Sequence, residues 1–420
     1  LLDSELSPHQ ERLTKTLVNS AEVLLTVIND ILDFSKIDAG AMSIEDAPFD
    51  LRDVVDNTLM LYASQADIKE IELINKMDPE LTHLLMGDAH RITQILSNLV
   101  GNSIKFTDKG EVILSVEAKH INPEGMIVLF QVMDTGIGMT EEVQERIFTP
   151  FTQADASTTR KFGGTGLGLT ITTELVSMME GKISVKSEIG KGTTFSVEIP
   201  LKFDQDNKNT GQSKLPLVAF KHKQALIVDD NLTNLMVLKG QLSALGFTVK
   251  AVDNPNAGYL EYVNHQNYQL IVLDYLMPSL DGLELARRLQ PYRDNTDSRL
   301  VILSSAQTSI SEADKKAIGI DRQLSKPISP QVLKNVLLDL FVGIEERVRS
   351  ESKEIEPETE VVEEEDEKGL RIILADDDQT NQQVIQLQLK KLGLKATIVG
   401  NGKQLLEKLE KDAFDIILLD

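Results

Sequence analysis

The sequence predicts a multidomain α/β protein: a helical segment, a mixed α/β domain, a doubly wound parallel domain and part of a second parallel domain. Apolar residues recur at helical spacing over residues 1–42, and short strands alternate with amphipathic helices over 45–202. An apolar strand that ends in aspartates appears twice, in ALIVDDNLTN (225–234) and RIILADDDQTN (371–381). The repeat period of about 147 residues suits two whole domains, each with strands and helices alternating around a parallel sheet.

The composition excludes several classes of protein. A hydrophobic content of 41% and a charged content of 26% are ordinary for a globular chain of 420 residues. The absence of cysteine excludes disulfides and thiolate metal sites, and it suits a reducing compartment. No apolar run approaches the ~20 residues that a membrane span needs. A net charge of −23 argues against a nucleic-acid partner, and its simplest role is solubility.

The helical segment 1–42 carries an apolar stripe. Ser7 and Pro8 fit a cap and a first-turn proline, and Gly40 is placed to end the helix. The stripe is wider than an isolated surface helix needs, so we expect a partner helix. Packing of this helix on its own domain is the alternative. The stripe comprises Leu13, Leu17, Val18, Leu24, Leu25, Ile28, Ile31 and Leu32.

Changes in composition predict the domain boundaries. Polar residues over 203–221 and a glutamate-rich run over 345–368 are typical of solvated linkers. The two parallel domains then span 222–342 and 369–420. The second copy stops after its third strand, which leaves a sheet edge and an apolar face uncovered, so we expect it to be poorly stable by itself.

The mixed domain 45–202 places polar residues on an otherwise apolar helix, 88–106. Asn98 and Asn102 lie four residues apart and share one face, although asparagine is a poor helix former. The carbonyl oxygen of Asn102 is a suitable ligand for Mg²⁺, which takes few protein ligands and completes its shell with phosphates and water. Lys105, one turn on, can place a positive charge near a phosphate.

Two glycine-containing motifs follow on the same domain. Asp134 ends a predicted strand in DTGIG, where a carboxylate can accept a hydrogen bond from the amine of a base and where glycines allow a ligand to approach. GGTGLGL precedes a helix, whose N-terminus can bind phosphates. No P-loop is present, and the lone glycine pattern does not follow a strand as a dinucleotide-binding turn does. The candidates besides Asp134 are Gly136, Gly138, Gly164, Thr165, Gly166, Leu167, Gly168 and Leu169.

In this order and spacing, the motifs resemble the N, G1, F and G2 boxes of the histidine-kinase ATPase domain, with ERIFTPFTQAD (145–155) as the F box. The resemblance implies an α/β sandwich that binds ATP with Mg²⁺, a lid over 139–163 and a base-contacting threonine at Thr194. Related type II topoisomerases, mismatch-repair proteins and chaperone ATPases usually have a glutamate at the position of Asn98. The asparagine favours phosphoryl transfer to a protein over hydrolysis.

The first parallel domain brings three acidic residues to one sheet edge. Asp229 and Asp230 end one apolar strand and Asp274 ends another, and parallel strands present their carboxyl ends together. Three carboxylates repel one another unless a divalent cation such as Mg²⁺ binds them, so a purely structural cluster is the weaker alternative. Asp274 is the candidate nucleophile. Ser304 can hydrogen-bond a phosphoryl oxygen, and Lys326 can neutralise its charge.

DD, LDYLMP, LSSA and SKP in that order resemble a response-regulator receiver domain, which implies a flavodoxin-like sheet. Gln323 stands where many receivers carry an aromatic switch residue, which puts signalling by aromatic rotation in doubt. In the second copy, Asp376 and Asp377 correspond to the Mg²⁺-binding pair and Asp420 to the phosphoacceptor.

INDILDFSKIDAG (28–40) resembles the end of the dimerisation hairpin of histidine kinases, so we expect a homodimer through a helical bundle. Together the motifs imply a hybrid sensor histidine kinase of a two-component phosphorelay. ATP phosphorylates a histidine, and the phosphoryl group passes to Asp274 and on to a histidine-phosphotransfer domain or a response regulator. A relay scaffold that uses ATP only structurally and a stand-alone ATPase are the alternatives.

A phosphoacceptor histidine in an HExR-like setting is absent from the sequence. We interpret His9 as a residue of the hairpin loop and expect that the chain does not phosphorylate itself. We expect a fragment cut at both ends, cytoplasmic, with any inner-membrane anchor of the parent protein upstream. The histidines are His9, His83, His90, His120, His222 and His265.

Overall fold

The computed structural model divides the chain into two compact units, Leu1–Glu351 and Ser352–Asp420. No described helix has the length and apolar character that crossing a membrane requires. The structure describes residues 7–78, 81, 84–150, 166–204, 220–293, 296–305, 308, 310–351, 371–375, 389, 394, 396–400, 402–409, 412 and 414–419.

Helix α1 (Pro8–Asp38) begins and ends where the sequence predicts. Ser7 caps it in a reciprocal pair with Gln10, and Gly40 follows it with a φ of +62°. His9 lies in the first turn of this helix, which corrects its assignment to a loop, because the Ser7 cap starts the helix before it. The predicted apolar stripe is exposed along α1.

The first domain contains a mixed sheet covered on one face by helices, as predicted. Strand β2 pairs with β4 in parallel, all other neighbours are antiparallel, and β2 lies at an edge of the sheet. The order is β1-β3-β7-β5-β4-β2, with β6 on β7. The strands are β1 (Ala47–Asp50), β2 (Ile71–Met77), β3 (Leu84–Gly87), β4 (Gly110–Lys119), β5 (Gly125–Asp134), β6 (Lys182–Glu188) and β7 (Gly192–Phe203).

The helices of this domain are α2 (Leu51–Ile68), α3 (Ala89–Phe106), α4 (Glu141–Arg146) and α5 (Gly168–Met178). Three of them, α2, α3 and α5, each bury one face in the core of the domain, whereas α4 has no buried residue. On helix α3, residues such as Ile92, Ile95 and Leu99 are buried in the core, whereas Asn98 and Asn102 lie at the margin of the core. This burial leaves the polar face of that helix available to build a site.

The second domain is doubly wound, as predicted. Its strands pair in parallel in the order β12-β11-β10-β8-β9. Two separate hydrophobic clusters lie on the two faces of the sheet, because successive residues of each strand point to opposite faces. The elements are β8 (Gln224–Val228), α6 (Leu232–Ala244), β9 (Thr248–Val252), α7 (Pro255–Asn264), β10 (Leu270–Asp274), α8 (Gly282–Arg293), β11 (Arg299–Ser304), α9 (Glu312–Ile318), β12 (Arg322–Ser325) and α10 (Pro330–Glu351).

The C-terminal unit repeats the first three strands of that sheet. Strand β13 (Ile372–Ala375) lies between β14 (Ala396–Val399) and β15 (Ile416–Leu419) in parallel, and helix α11 spans Gly402–Leu409. Every residue of β10 is buried, whereas Leu419 of β15 is 67% exposed. No described strand pairs with the outer edge of β15, so the expected uncovered edge is present among the described residues.

Candidate functional site

The two asparagines of α3 are linked to each other and to α5. Asn98 donates from its amide to Thr172 Oγ1 at 2.8 Å, and Asn102 donates to Asn98 Oδ1 at 3.2 Å. Among the described residues, the side-chain oxygen of Asn102, Oδ1, accepts no hydrogen bond. Asn98 therefore holds the two helices together, and the free acceptor of Asn102 fits the predicted Mg²⁺ ligand.

Asp134 ends β5 as a half-buried carboxylate with three donors. Gly136 N–H and Thr193 N–H donate to Oδ1 at 2.9 Å and 3.1 Å, and Ser103 donates to Oδ2 at 3.0 Å. Burial raises the pKa of Asp134, and the three hydrogen bonds oppose that rise. The strand partner at Asp134 is Thr193, and Thr194 pairs with Met133, one position along the ladder. The base-contacting role of Thr194 stays a prediction.

The glycines of DTGIG lie close against neighbouring backbone, while the predicted approach of a ligand stays a prediction. A Cβ on Gly136 would lie 2.5 Å from the carbonyl oxygen of Phe106, and one on Gly138 would lie 2.0 Å from that of Glu188. Gly138 also has a φ of +68°. These glycines let the backbone after β5 pack tightly on neighbouring backbone, which fixes the position of Asp134.

The phosphate-binding candidates meet α3 at the start of α5. Gly168 begins α5, and a Cβ there would lie 2.5 Å from Asn98 Oδ1, so only glycine lets α5 approach α3 this closely. Among the described residues, no side chain caps the start of α5, and a helix N-terminus suits an anion. Gly166 has a φ of +71°, and the side chains of Leu167 and Leu169 contribute to the core.

Two other predictions concern the phosphate end of this site. Lys105 lies in the last turn of α3, and its half-burial lowers the pKa of its ammonium group. Gly164 and Thr165 lie outside the described residues, as does the part of the predicted lid over 151–163.

The second domain brings its three predicted aspartates together. Ligand oxygens of Asp229, Asp230 and Asp274 all lie within 4.8 Å of one another, with Asp229 and Asp274 buried and Asp230 exposed. They meet because β8 and β10 are parallel neighbours whose carboxyl ends share one edge. The buried Oδ2 of Asp274 has no hydrogen-bond partner among the described residues. Oxygen ligands in this arrangement fit a divalent cation such as Mg²⁺.

Lys326 is bound into the same cluster. Its Nζ lies 2.8 Å from Asp274 Oδ1 and 3.5 Å from Asp229 Oδ2. Burial raises the pKa of Asp274 to about 7, which Lys326 opposes and Asp229 reinforces. Burial by itself lowers the pKa of Lys326, but the surrounding carboxylates outweigh it and raise that pKa overall. Lys326 thus stays charged at neutral pH.

Ser304 ends β11 beside this cluster and is held by Gln323. The Gln323 amide donates to Ser304 Oγ at 2.8 Å and to the carbonyl oxygen of Thr308 at 2.7 Å. The residue that replaces the aromatic switch therefore contacts the predicted phosphoryl-binding hydroxyl directly. In the C-terminal unit, Asp376, Asp377 and Asp420 lie outside the described residues.

Several residues of these sites escaped the sequence analysis. Ser103 donates to Asp134, and Thr172 accepts from Asn98. Both are buried polar residues of helices, and a polar residue on the apolar face of a helix could have indicated them. Glu72 and Glu111 lie beside the acidic cluster although they belong to the first domain. No local pattern marks them, because strand residues of alternating polarity are ordinary.

The two sites define a nucleotide-binding domain joined to a phosphoacceptor domain of the receiver type. Residues 87–203 match the family described as histidine kinase-, DNA gyrase B-, and HSP90-like ATPase, and residues 225–338 match the response regulator receiver domain. By this domain content and by the relatives below, the chain belongs to the hybrid sensor histidine kinases.

Three relatives illustrate the relationship. Sensor histidine kinase GacS of Pseudomonas protegens is 30% identical over all of this chain and 44% of its own length. Hybrid signal transduction histidine kinase K of Dictyostelium discoideum is 32% identical over 79% of this chain and 29% of its own length. A crystal structure of full-length ShkA in complex with AMPPNP superposes with a TM-score of 0.63, at 25% identity, over 99% of this chain and 81% of that chain. The chain spans less than half the length of the curated relatives.

Proposed function

We propose that this chain is the catalytic and receiver part of a protein-histidine kinase that transfers the γ-phosphoryl group of ATP to a histidine and then to Asp274. The observation that carries the proposal is the cluster of Asp274, Asp229 and Lys326, in which a buried carboxylate lies 2.8 Å from an ammonium group. A nucleotide site built around Asp134 on the same chain supplies the donor.

On the ATP side, the chain's residues bind and orient the nucleotide. Asp134 accepts a hydrogen bond from the amine of adenine, and its three donors keep its Oδ atoms in place. The N-terminus of α5 binds the phosphates, held against α3 by Asn98. No glutamate stands at Asn98 to activate water, so the site favours transfer to a protein over hydrolysis.

On the receiver side, an Asp274 carboxylate oxygen attacks the phosphorus of phosphohistidine. An O–P bond forms, the P–N bond breaks, and the ring nitrogen leaves with the electron pair. Lys326 neutralises the charge on the phosphoryl oxygens, and Ser304 donates a hydrogen bond to one of them. Asp229, Asp230 and Asp274 would hold Mg²⁺ in the receiver and Asn102 would hold it with ATP, and there the ion would stabilise negative charge on the phosphoryl oxygens.

The partners follow from the same chemistry. We propose a homodimer through α1, because its apolar stripe lies exposed on this chain and matches the seam of a helical bundle. Leu17, for example, is 70% exposed. The phosphoryl group on Asp274 then passes to a histidine-phosphotransfer domain or a response regulator, in a cytoplasmic setting.

The test supplies a separately produced dimerisation hairpin that carries an acceptor histidine, with Mg²⁺ and ATP labelled at the γ-phosphate. We expect label on the histidine, stable to base and labile to acid, and then on the chain. Asp274→Asn removes the second label, whereas Asp253→Asn, a change of an exposed aspartate after β9, retains it. By itself the chain binds Mg·ATP without labelling, because none of its histidines has an HExR context.

Two results contradict the proposal. Nucleotide binding without any phosphohistidine on the hairpin indicates a relay scaffold. Steady ATP hydrolysis by the chain, abolished by Asn102→Ala, indicates an ATPase.

A further inference from the structure

The receiver domain lies against the ATPase domain through its phosphoacceptor face. Helix α6 packs on β2, the edge strand of the ATPase sheet. An edge strand presents unpaired backbone groups and is commonly covered by another element. Here the covering element begins at Asn231, two residues after Asp229.

Three carboxylates of the ATPase domain accept hydrogen bonds across this contact. Glu111 of β4 accepts from Asn231 and Thr233, each at 3.0 Å. Glu72 of β2 accepts from the amide of Asn234 at 3.1 Å. We call Glu72, Glu111 and Asp56 of α2 the acidic edge.

Asp56 completes the acidic edge at the other end of the contact. It accepts a short hydrogen bond from Ser329, three residues after Lys326. The amide of Asn75 donates to its second oxygen at 2.7 Å and so fixes its orientation. Each interdomain hydrogen bond named here has its donor on the receiver and its carboxylate on the ATPase domain.

Glu72 reaches the phosphoacceptor site itself. Both of its carboxylate oxygens lie 3.4 Å from Lys326 Nζ, which also binds Asp274. A phosphoryl group on Asp274 replaces the carboxylate charge with a charge of about −1.5 to −2 carried on phosphoryl oxygens, and it needs the same ammonium group. It cannot share Lys326 with Glu72 without bringing two anions together in a partly buried site.

We propose that the acidic edge is an intramolecular docking surface for the phosphoacceptor face of the receiver, and that docking and phosphorylation of Asp274 exclude each other. Glu72 holds the lysine in the unphosphorylated chain, and phosphorylation releases the receiver. By linkage, docking disfavours phosphorylation of Asp274 by the same factor by which phosphorylation disfavours docking. The inference rests on the proposed role of Asp274 as phosphoacceptor.

The first measurement reports docking without phosphorylation. The chain has no cysteine, so Ile121→Cys and Leu260→Cys, both exposed, place one spin label on each domain. Pulsed electron resonance on the unphosphorylated labelled chain, diluted in excess unlabelled chain so that only labels of one chain are paired, should give the single distance of the docked arrangement. Glu72→Gln with Glu111→Gln should add a second, broader population. Glu117→Gln removes one carboxylate from β4 outside the contact, and it should leave the single population unchanged.

The second measurement is the rate at which a small acyl phosphate labels Asp274 in the presence of Mg²⁺. Asp274 gains the O–P bond, and the donor's carboxylate leaves with the electron pair. We expect Glu72→Gln with Glu111→Gln to raise this rate on the order of fivefold or more, and Glu117→Gln to leave it unchanged. Labelling should abolish the docked distance in the otherwise wild-type chain but not in Asp274→Asn.

Either of two results overturns the inference. In the first, the unphosphorylated chain does not show the docked distance. In the second, Glu72→Gln with Glu111→Gln loses the docked distance, yet its labelling rate equals that of Glu117→Gln. If Asp274 is not the phosphoacceptor, a third result, different from these two, shows it. In that case Asp274→Asn accepts label as well as the unchanged chain does, in every background.

Discussion

Gln323 donates its side-chain amide to Ser304 Oγ at 2.8 Å, across the parallel pair of β12 and β11. Its second donor bond reaches the carbonyl oxygen of Thr308, and its Oε1 accepts from Ile310 N–H at 3.4 Å. One side chain therefore ties the phosphoryl-binding hydroxyl to the segment that follows β11. An aromatic residue at this position has no comparable donor for Ser304.

Gln323→Ala is therefore expected to loosen that segment. Loss of these bonds should lower the free energy of unfolding of the receiver domain by about 1–2 kcal/mol and speed hydrogen exchange at Ile310. Chemical denaturation and exchange of the whole chain measure the two effects. Gln331→Ala removes a partly buried glutamine whose side chain bonds only Asn335 among the described residues, and it should change neither. Equal effects from both variants contradict the role given to Gln323.

The raised pKa of Asp134 predicts the pH dependence of ATP binding. The ionised carboxylate accepts the adenine amine, so affinity should fall as the pH drops through this raised pKa, at a higher pH than for an ordinary carboxyl. At neutral pH, Asp134→Asn should weaken binding by about 2 kcal/mol. Calorimetric titration over a pH series measures both.

The informative quantity is the ATP affinity of the unchanged chain divided by that of Asp134→Asn. Titration of the ATP phosphates affects both proteins alike and cancels in this ratio. This ratio should shrink towards acidic pH. Asp108→Asn, at an exposed residue after α3, serves as the control and should bind as the unchanged chain does. A ratio that is constant with pH contradicts ionisation of Asp134 as the cause.

Gly138 and Gly190 separate two reasons for glycine in the ATPase domain. Both have positive φ, +68° and +75°, but a Cβ on Gly138 meets Glu188 O at 2.0 Å whereas one on Gly190 meets nothing within 4 Å. Gly190→Ala should cost about 1 kcal/mol of backbone strain. Gly138→Ala should cost about 3 kcal/mol, since overpacking adds to that strain. Thermal unfolding compares them, and similar losses contradict the steric argument.

The exposed stripe of α1 predicts the oligomeric state. If α1 forms the seam of a dimer, Leu17→Glu with Leu24→Glu buries charge in that seam and should yield a monomer. Arg12→Glu, at an exposed position on the opposite face of the same helix, should stay dimeric. Sedimentation velocity decides: an unchanged chain that is already monomeric at tens of micromolar contradicts the proposed dimer.

Much of the architecture could be predicted because it depends on short patterns of residues along the chain. The aspartates at the ends of β8 and β10 could be placed together from sequence, since parallel strands share an edge. The spacing of Asn98 and Asn102 likewise identified one face of α3. The contact of Thr193 with Asp134 could not be placed from sequence, because a strand's register decides which neighbour meets that carboxylate.

The sequence by itself determined the order of the ATPase and receiver domains, the strand and helix types and the grouping of Asp229, Asp230 and Asp274, because each depends on periodicity or on a short motif. Only the tertiary structure decided that Glu72 meets Lys326, a contact between residues 254 positions apart. It also decided that Gly136 and Gly138 serve backbone packing. Contacts between domains depend on how whole surfaces fit, and no local pattern of residues encodes that fit.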